Sequence, residues 1–297
     1  QISDVLCPNV QDRLIKRNSI VIPHGSFVEY VGPKNLEEKF YVPMFGNRKT
    51  LEWEGDRKKQ REWLEKAGLQ MPKEYKTVSE AGGKVFVKFS GAKGGKGFFT
   101  VDSDRELSAK LQERVKSGEI SKDDAANLTI QEFIPGVRYY NHYFYSLFEG
   151  KGPKMAEGRV ELLSMDKRIE PIDEIYRGLP NVPAEFFDYT VTGNQPIIVR
   201  ESFLPAVMKM GINTVKTSIE LFPPGMQGAF CLENVYHPKR GFVTFEISAR
   251  IVAGTNLFPE GSPYSCYVFN EQMSTGRRIA RELRRSIEKD ELEKIIY

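Results

Sequence analysis

Two periods of apolar spacing alternate along this chain, and each change of period marks an element. Residues 20–23 form a short β-branched run that stops at His24-Gly25-Ser26, as a buried parallel strand does when it ends in a functional loop. Residues 1–70 then read as part of an α/β lobe. Residues 51–67 are heavily charged, with apolar positions at Leu51, Trp53, Trp63 and Leu64 and a stop at Gly68, which predicts a surface helix closing that lobe.

Strand character dominates next. Lys84-Val85-Phe86-Val87-Lys88-Phe89 follows Gly82-Gly83, and residues 97–101 resume the pattern, predicting a hairpin with a long flexible tip. Residues 103–115 have helical spacing, residues 128–134 a strand ending at Pro135-Gly136, and residues 139–148 a strongly aromatic strand. The spacing predicts an irregular stretch over 149–196, a helix over 201–221, strands over 228–235 and 241–247, and an amphipathic closing helix over 277–296.

With 297 residues the chain is long enough for two or three lobes of one enzyme. Hydrophobic residues make up 40%, including 19 Phe and 13 Tyr, enough apolar surface to offset the entropy of ordering a globular chain. A net charge of +3 without a run of five basic residues gives no reason to expect nucleic acid as the partner. Cys7, Cys231 and Cys266 show no CxxC spacing, which argues against a disulfide framework or structural zinc and points to a reducing compartment. No apolar stretch approaches the roughly 20 residues of a membrane-spanning helix, so a cytoplasmic protein with no membrane partner is expected. The chain opens at Gln1 in what reads as the middle of an α/β unit, so an amino-terminal segment is expected to be missing.

The chemistry concentrates in three places. Val87-Lys88-Phe89-Ser90-Gly91-Ala92-Lys93-Gly94-Gly95-Lys96-Gly97 lets backbone N–H groups approach a phosphate while lysines supply charge. It fits neither GxxxxGK[ST] nor GxGxxG, and a mobile solvated hairpin tip is its bland reading. Glu233 and Glu246 each interrupt an apolar strand, with a plausible turn between them, so both carboxylates face one pocket if the strands pair. Such hard oxygen ligands suit Mg²⁺ on nucleotide phosphates; two exposed glutamates are the alternative. Arg250 follows Ser248 by two positions, where a guanidinium would meet an anionic transition state.

Lesser candidates surround these. His24 and Ser26 end the first strand, where open α/β sheets form a ligand crevice. Asn194 is a candidate for a substrate amide or phosphate, Asn47 and Arg48 for a ribose phosphate, and Asp166 for a nucleotide contact or a turn cap. Phe144 and Tyr145 read as core.

The order of these motifs resembles the ATP-grasp superfamily: a Lys-bearing strand, a flexible Gly-rich loop, Gln131-Glu132-Phe133-Ile134-Pro135-Gly136 as hinge strand, and Glu233 with Glu246-Ile247-x-x-Arg250. The resemblance implies a mixed α+β and α/β fold in which a partial amino-terminal α/β lobe (1–70) precedes two α+β lobes (71–136 and 137–297) clasping ATP. It further implies adenine held by hinge backbone at Glu132, Phe133 and Ile134, phosphate held by Lys88, Lys93, Gly94, Gly95 and Lys96, and Mg²⁺ or Mn²⁺ held by Glu233 and Glu246. The superfamily normally has Asn two places after the second acid, whereas Ser248 stands here.

Within the superfamily, residues 23–28, 45–48, 87–99, 133–136, 144–146, 192–194, 245–256 and 276–281 are similar to the archaeal formate-dependent 5-formaminoimidazole-4-carboxamide ribonucleotide synthetases. That similarity implies ATP, formate and aminoimidazole carboxamide ribonucleotide as substrates, formyl phosphate as intermediate, Lys88 and Arg250 in catalysis, His24, Ser26, Arg48 and Asn194 at the ribonucleotide, and a homo-oligomer. Another ATP-grasp carboxylate–amine ligase and a nucleotide-binding paralogue without ligase activity remain alternatives. Retention of Lys88, Glu233, Glu246 and Arg250 speaks against the second.

Overall fold

A computed structural model describes residues 2–89, 98–171 and 190–297. Two antiparallel sheets carry the architecture. The smaller contains β1 (Glu74–Tyr75), β2 (Val85–Lys88), β3 (Phe98–Val101) and β4 (Thr129–Glu132) in the order β1-β4-β2-β3. Because side chains alternate across a strand, Val85, Val87, Val101 and Ile130 pack a core with Phe99 and Val78, covered by Leu107 and Leu111 of the helix Asp104–Lys116. That helix starts where Ser103 accepts a hydrogen bond from the Glu106 N–H at 3.2 Å. Phe86 and Lys88 fall on the other face, which leaves Lys88 only partly covered.

The larger sheet contains β5 (Val137–Ser146), β6 (Arg159–Ile169), β7 (Gly193–Pro196), β8 (Gly228–His237) and β9 (Gly241–Ser248) in the order β7-β6-β5-β8-β9. One face presents Tyr143, Phe230, Leu232 and Ile247 to Val207, Ile212 and Val215 of the helix Leu204–Leu221. Tyr143 stacks on Phe230 with ring centroids 4.9 Å apart.

Several expectations need correction. The stretch 149–196 is not irregular throughout, since β6 is an eleven-residue strand beside the centre of its sheet. Its charged residues hid it: Glu161 and Asp166 are buried with ion-pair partners, Arg278 and Arg168, instead of facing water. Residues 20–23 form no strand, only the isolated parallel bridges Val21↔Met44 and His24↔Ile251 at their ends. Pro23 offers no N–H to a ladder, and a π-turn over Phe27–Val31 follows at once.

The single surface helix expected over 51–67 is two helices, Lys49–Gly55 and Arg57–Lys66. Asp56 divides them by accepting from the Lys58 and Lys59 N–H groups at 2.8 and 3.1 Å as an N-cap. The second helix lies at the surface, as expected, with one face turned inward: Trp63 and Leu64 are fully buried, and Trp63 Nε1 donates to the Thr214 carbonyl at 2.9 Å. The closing helix runs Thr275–Glu288, shorter than 277–296 suggested, and its inner face is charged: Arg278 is buried against Glu161 (2.7 Å) and Glu282 (2.9 Å). Among the described residues no helix is long and apolar enough to cross a membrane.

Candidate active site

Residues opposite one another in an antiparallel sheet point to the same side, and the register makes Asp166, Tyr140, Glu233 and Glu246 consecutive partners across β6, β5, β8 and β9. This row faces away from the helix Leu204–Leu221. Glu233 and Glu246 are direct cross-strand neighbours, so two carboxylates share one spot. Burial, and then the Glu246 charge, push the Glu233 carboxyl up to about 7, while Arg168 and Arg250 oppose the shift. The Ser248 hydroxyl donates to Glu233 Oε1 at 3.1 Å.

The register slips beside Glu233, so Asn234 pairs with Thr244 and Phe245 is the extra residue of a bulge. Phe245 thereby reaches Tyr140, edge to face at 6.5 Å, and Lys88 of the other sheet, whose Nζ lies 5.5 Å from the Phe245 ring centre. Lys88 thus meets the carboxylate pair across a cleft between the two sheets. Burial pulls its pKa down to about 8, against the pull of Glu246. Arg57 Nη1 approaches Glu246 Oε2 at 3.6 Å from the rim.

At one end of the row, Arg250 lies just past β9, where His24 bridges to Ile251. Glu54 holds it: Oε1 pairs with Arg250 Nη2 at 3.0 Å, and Oε2 accepts from the Ala249 N–H at 2.7 Å. Burial raises the Glu54 pKa, with Arg250 opposing. A Cβ on Gly25 would stand 3.4 Å from the Arg250 guanidinium carbon, so the bare backbone of His24-Gly25-Ser26 packs directly on that cation. Ser26 N–H donates to His24 Nδ1 at 3.1 Å, and the His24 side chain is exposed.

At the other end, Arg168 stacks on the Tyr140 ring at 4.1 Å and pairs with Asp166 Oδ2 at 3.5 Å. Burial acts to lower the pKa of its guanidinium, yet Glu233, Tyr140 and Asp166 together hold it above the ordinary value. Asn194, on the edge strand β7, is the register partner of Arg168. Asp166 has no exposed surface and is hydrogen-bonded to His142. A Cβ on Gly254 would overlap both the Asp166 carboxylate and the His142 ring, so that loop seals the pair from above. The expectation that Asp166 contacts a nucleotide is therefore corrected: its place is beneath Arg168, which it orients.

Arg48 and Asn47 are also corrected. The Arg48 guanidinium donates to the carbonyls of Leu36 (2.8 Å), Phe40, Val42 (2.8 Å) and Tyr297 (2.9 Å), which occupies a fork that a phosphate would need. Asn47 Nδ2 likewise donates to the Phe222 and Gly225 carbonyls at 3.2 and 3.1 Å. Both are structural clasps.

In the hinge, Glu132 donates its N–H to the Lys73 carbonyl (2.8 Å), and its carboxylate accepts from the Lys73 N–H (3.0 Å) and from Arg240 Nη1 (2.7 Å) at the β8–β9 turn. Gln70 completes this seam, its carbonyl accepting from the Thr244 N–H at 2.7 Å. Phe133 packs on Phe86 at 5.0 Å, giving the cleft an apolar wall, and Ile134 is buried. Lys93, Gly94, Gly95 and Lys96 lie outside the described residues.

The donor set fits a divalent cation. Two facing carboxylates, one pushed toward neutrality by burial and then by its neighbour, lose their repulsion when a cation lies between them. The described residues contain no group of three or more metal-binding side chains, so further ligands would come from elsewhere, as Mg²⁺ on phosphate oxygens allows. Sequence reasoning missed Glu54, Arg168, His142 and Phe245. Only Arg168 left a signal, two strand positions from Asp166.

Comparison with known proteins places this geometry. Residues 1–75 match a family described as "Protein of unknown function (DUF1246)", and residues 106–297 one described as "Domain of unknown function (DUF1297)". The 5-formaminoimidazole-4-carboxamide-1-(beta)-D-ribofuranosyl 5'-monophosphate synthetase of Korarchaeum cryptofilum is 52% identical over 295 residues, covering 99% of this chain and 80% of that relative. The crystal structure of an IMP biosynthesis protein PurP from Thermococcus kodakaraensis matches with a TM-score of 0.71 and 32% identity over 94% of this chain and 80% of that one. D-alanine–D-alanine ligase from Bacillus anthracis complexed with ATP matches with a TM-score of 0.57 at 14% identity, covering 95% and 85% of the two chains. The fold is the ATP-grasp architecture shared by these proteins.

Proposed function

We infer that this chain, which belongs to the family of archaeal 5-formaminoimidazole-4-carboxamide ribonucleotide synthetases, ligates formate to the amine of aminoimidazole carboxamide ribonucleotide. ATP drives the reaction, and the products are the formamido ribonucleotide of purine biosynthesis, ADP and phosphate. The observation that carries this reading is the Glu233–Glu246 pair facing Lys88 across the cleft.

Formate oxygen is a poor leaving group, so its attack on the γ-phosphate of ATP precedes attack by the amine. The formyl phosphate so made loses phosphate readily. Adenine would lie against Phe86 and Phe133, with Glu132, Phe133 and Ile134 as hinge backbone. Lys88 would hold phosphate oxygens, joined by Lys93, Gly94, Gly95 and Lys96. Glu233 and Glu246 would hold Mg²⁺ or Mn²⁺, which when bound supplies positive charge to the transferring phosphoryl group.

Arg250, fixed by Glu54, and Arg168, fixed by Asp166 and Tyr140, stand at the two ends of the carboxylate row and offer donors to developing negative charge. His24, Ser26 and Asn194 would bind the ribonucleotide between those ends. In this reading residues 1–70 form the amino-terminal lobe, 71–136 the lobe bearing the Gly-rich loop, and 137–297 the lobe bearing the metal-binding strands.

Formate labelled with heavy oxygen tests the order of steps. Phosphate released in step with product should carry one labelled oxygen, and ADP should form only with formate and ribonucleotide present. Unlabelled phosphate, or AMP with pyrophosphate, would refute it.

A further inference from the structure

Behind Arg168 the larger sheet holds a buried histidine that the reaction described above does not use. His142 and Asp166 are fully buried on the same face of β5 and β6, where His142 pairs with Ser164 and Asp166 stands two residues further along. A long side chain reaches that diagonal position. The register slips directly after His142, which makes Leu163 the extra residue of a bulge. Bulges re-aim the side chains beside them, and here the imidazole Nε2 meets Asp166 Oδ1 in a hydrogen bond.

The direction of that bond follows from its neighbour. Asp166 Oδ2 faces Arg168 Nε at 3.5 Å, so the carboxylate is ionised and only accepts, and His142 Nε2 is the donor. The other ring nitrogen, Nδ1, is buried without a hydrogen-bond partner among the described residues. An aliphatic side chain would fill the same space without that cost. What the imidazole adds over a leucine is its hold on Asp166.

That hold has a geometric consequence for Arg168. A carboxylate gripped only by a cation can pivot about its Cβ–Cγ bond, whereas one with Oδ1 fixed has a single place for Oδ2, and with it for Arg168 Nε. The remaining constraint on Arg168 is its stack on the Tyr140 ring at 4.1 Å, which by itself permits sliding across the ring face. Gly254 roofs the arrangement, since a Cβ there would overlap Asp166 Oδ1 and His142 Nε2, the two ends of the hydrogen bond. It lies four residues beyond Arg250, so the segment that carries one arginine of the row locks the mount of the other.

We propose that His142 is a positioning residue for the ligation: acting through Asp166, it fixes Arg168 over Tyr140 so that the guanidinium is in place at the Glu233 end of the carboxylate row when the phosphoryl group is transferred. This rests on the ligase reading above and adds to it a residue that touches neither substrate nor metal.

The test is a double-substitution cycle in the full chain, with kcat taken from ADP formation and KM measured for ATP in wild type, His142→Leu, His142→Gln, Arg168→Gln and the His142→Leu/Arg168→Gln double variant. His142→Leu removes the donor and should lower kcat roughly tenfold to a hundredfold, the loss of one hydrogen bond to a charged group. Its KM for ATP and its nucleotide-induced rise in melting temperature should stay at wild-type values, which shows a folded protein that still binds nucleotide. His142→Gln places an amide N–H near the position of Nε2 and should recover most of the lost kcat. Arg168→Gln should be at least as slow as His142→Leu, and the double variant no slower than Arg168→Gln, because a residue that acts only through Arg168 then has nothing left to act on. Should His142→Leu fail to fold, Gly254→Ala takes its place in the cycle, since its methyl group wedges the pair apart without altering either member. An unchanged kcat in His142→Leu, no recovery in His142→Gln, or the same fold loss with and without Arg168 each overturns the proposal, the last as a packing effect. A wild-type enzyme that forms ADP without responding to formate overturns the ligase reading instead, and the cycle, read on ADP formation, still decides the role of His142.

Discussion

The two faces of the larger sheet are made by the same five strands and obey opposite rules. Toward the helix Leu204–Leu221 stand Tyr143, Phe230, Leu232 and Ile247, apolar and interlocked. Toward the cleft stand Asp166, Tyr140, Glu233 and Glu246, with Arg168 and Arg250 at the ends. A period of two lets one strand serve both purposes, because alternate residues never meet. Apolar burial on one face, worth about 1.5–3 kcal/mol for each large side chain, tolerates like charges forced together on the other. Stability and chemistry are thereby separable residue by residue.

Three experiments probe that separation. The largest effect belongs to Glu233→Gln and Glu246→Gln, which should lower turnover roughly a thousandfold or more, since a metal site is worth several kcal/mol to phosphoryl transfer. Their melting temperature without nucleotide should not fall, because each removes one of two repelling carboxylates. A parallel loss of both quantities would show the faces to be coupled. Phe230→Ala should do the reverse, costing about 3–5 kcal/mol of unfolding free energy, with turnover per folded molecule retained. Denaturant melts and active-site-normalised rates would decide it.

The smallest effect sharpens the contrast within one side chain. Lys88 has its pKa lowered to about 8, so the unfolded chain binds its proton more tightly than the native one between that value and 10.5. This contribution makes folding stability rise with pH across the window. Activity should move the other way. The kcat/KM for ATP should fall about tenfold per pH unit above the Lys88 pKa as the phosphate-binding charge is lost, and Lys88→Arg should shift that alkaline limb upward. A limb unmoved by the substitution would detach Lys88 from phosphate.

Legibility followed local pattern. The hairpin of β2 and β3, the helix Leu204–Leu221 and the pairing of β8 with β9 were readable because apolar spacing and turn residues are local signals. For the same reason the proximity of Glu233 to Glu246 was readable. β6 was not, because Glu161 and Asp166 look solvated until Arg278 and His142, each more than twenty residues away, close over them. Nor was the role of Arg48, since five donors spent on backbone carbonyls leave no trace in sequence. Glu54 reaches Arg250 across nearly two hundred residues from a charged helix in which nothing sets it apart.

The seam through Gln70, Lys73, Glu132, Arg240 and Thr244 has a mechanical meaning. It fastens the two sheets along one line at the hinge end of the cleft, with the Glu132 carboxylate gripping both Lys73 and Arg240. Sliding one sheet over the other would break the Glu132–Arg240 contact that crosses between them, whereas rotation about the seam would preserve it. The sheets therefore behave as the two leaves of a hinge whose pin is this seam. A few degrees of swing at the pin would give its largest displacement at the open edge, where it would part Lys88 from Glu246 while preserving the register of both sheets.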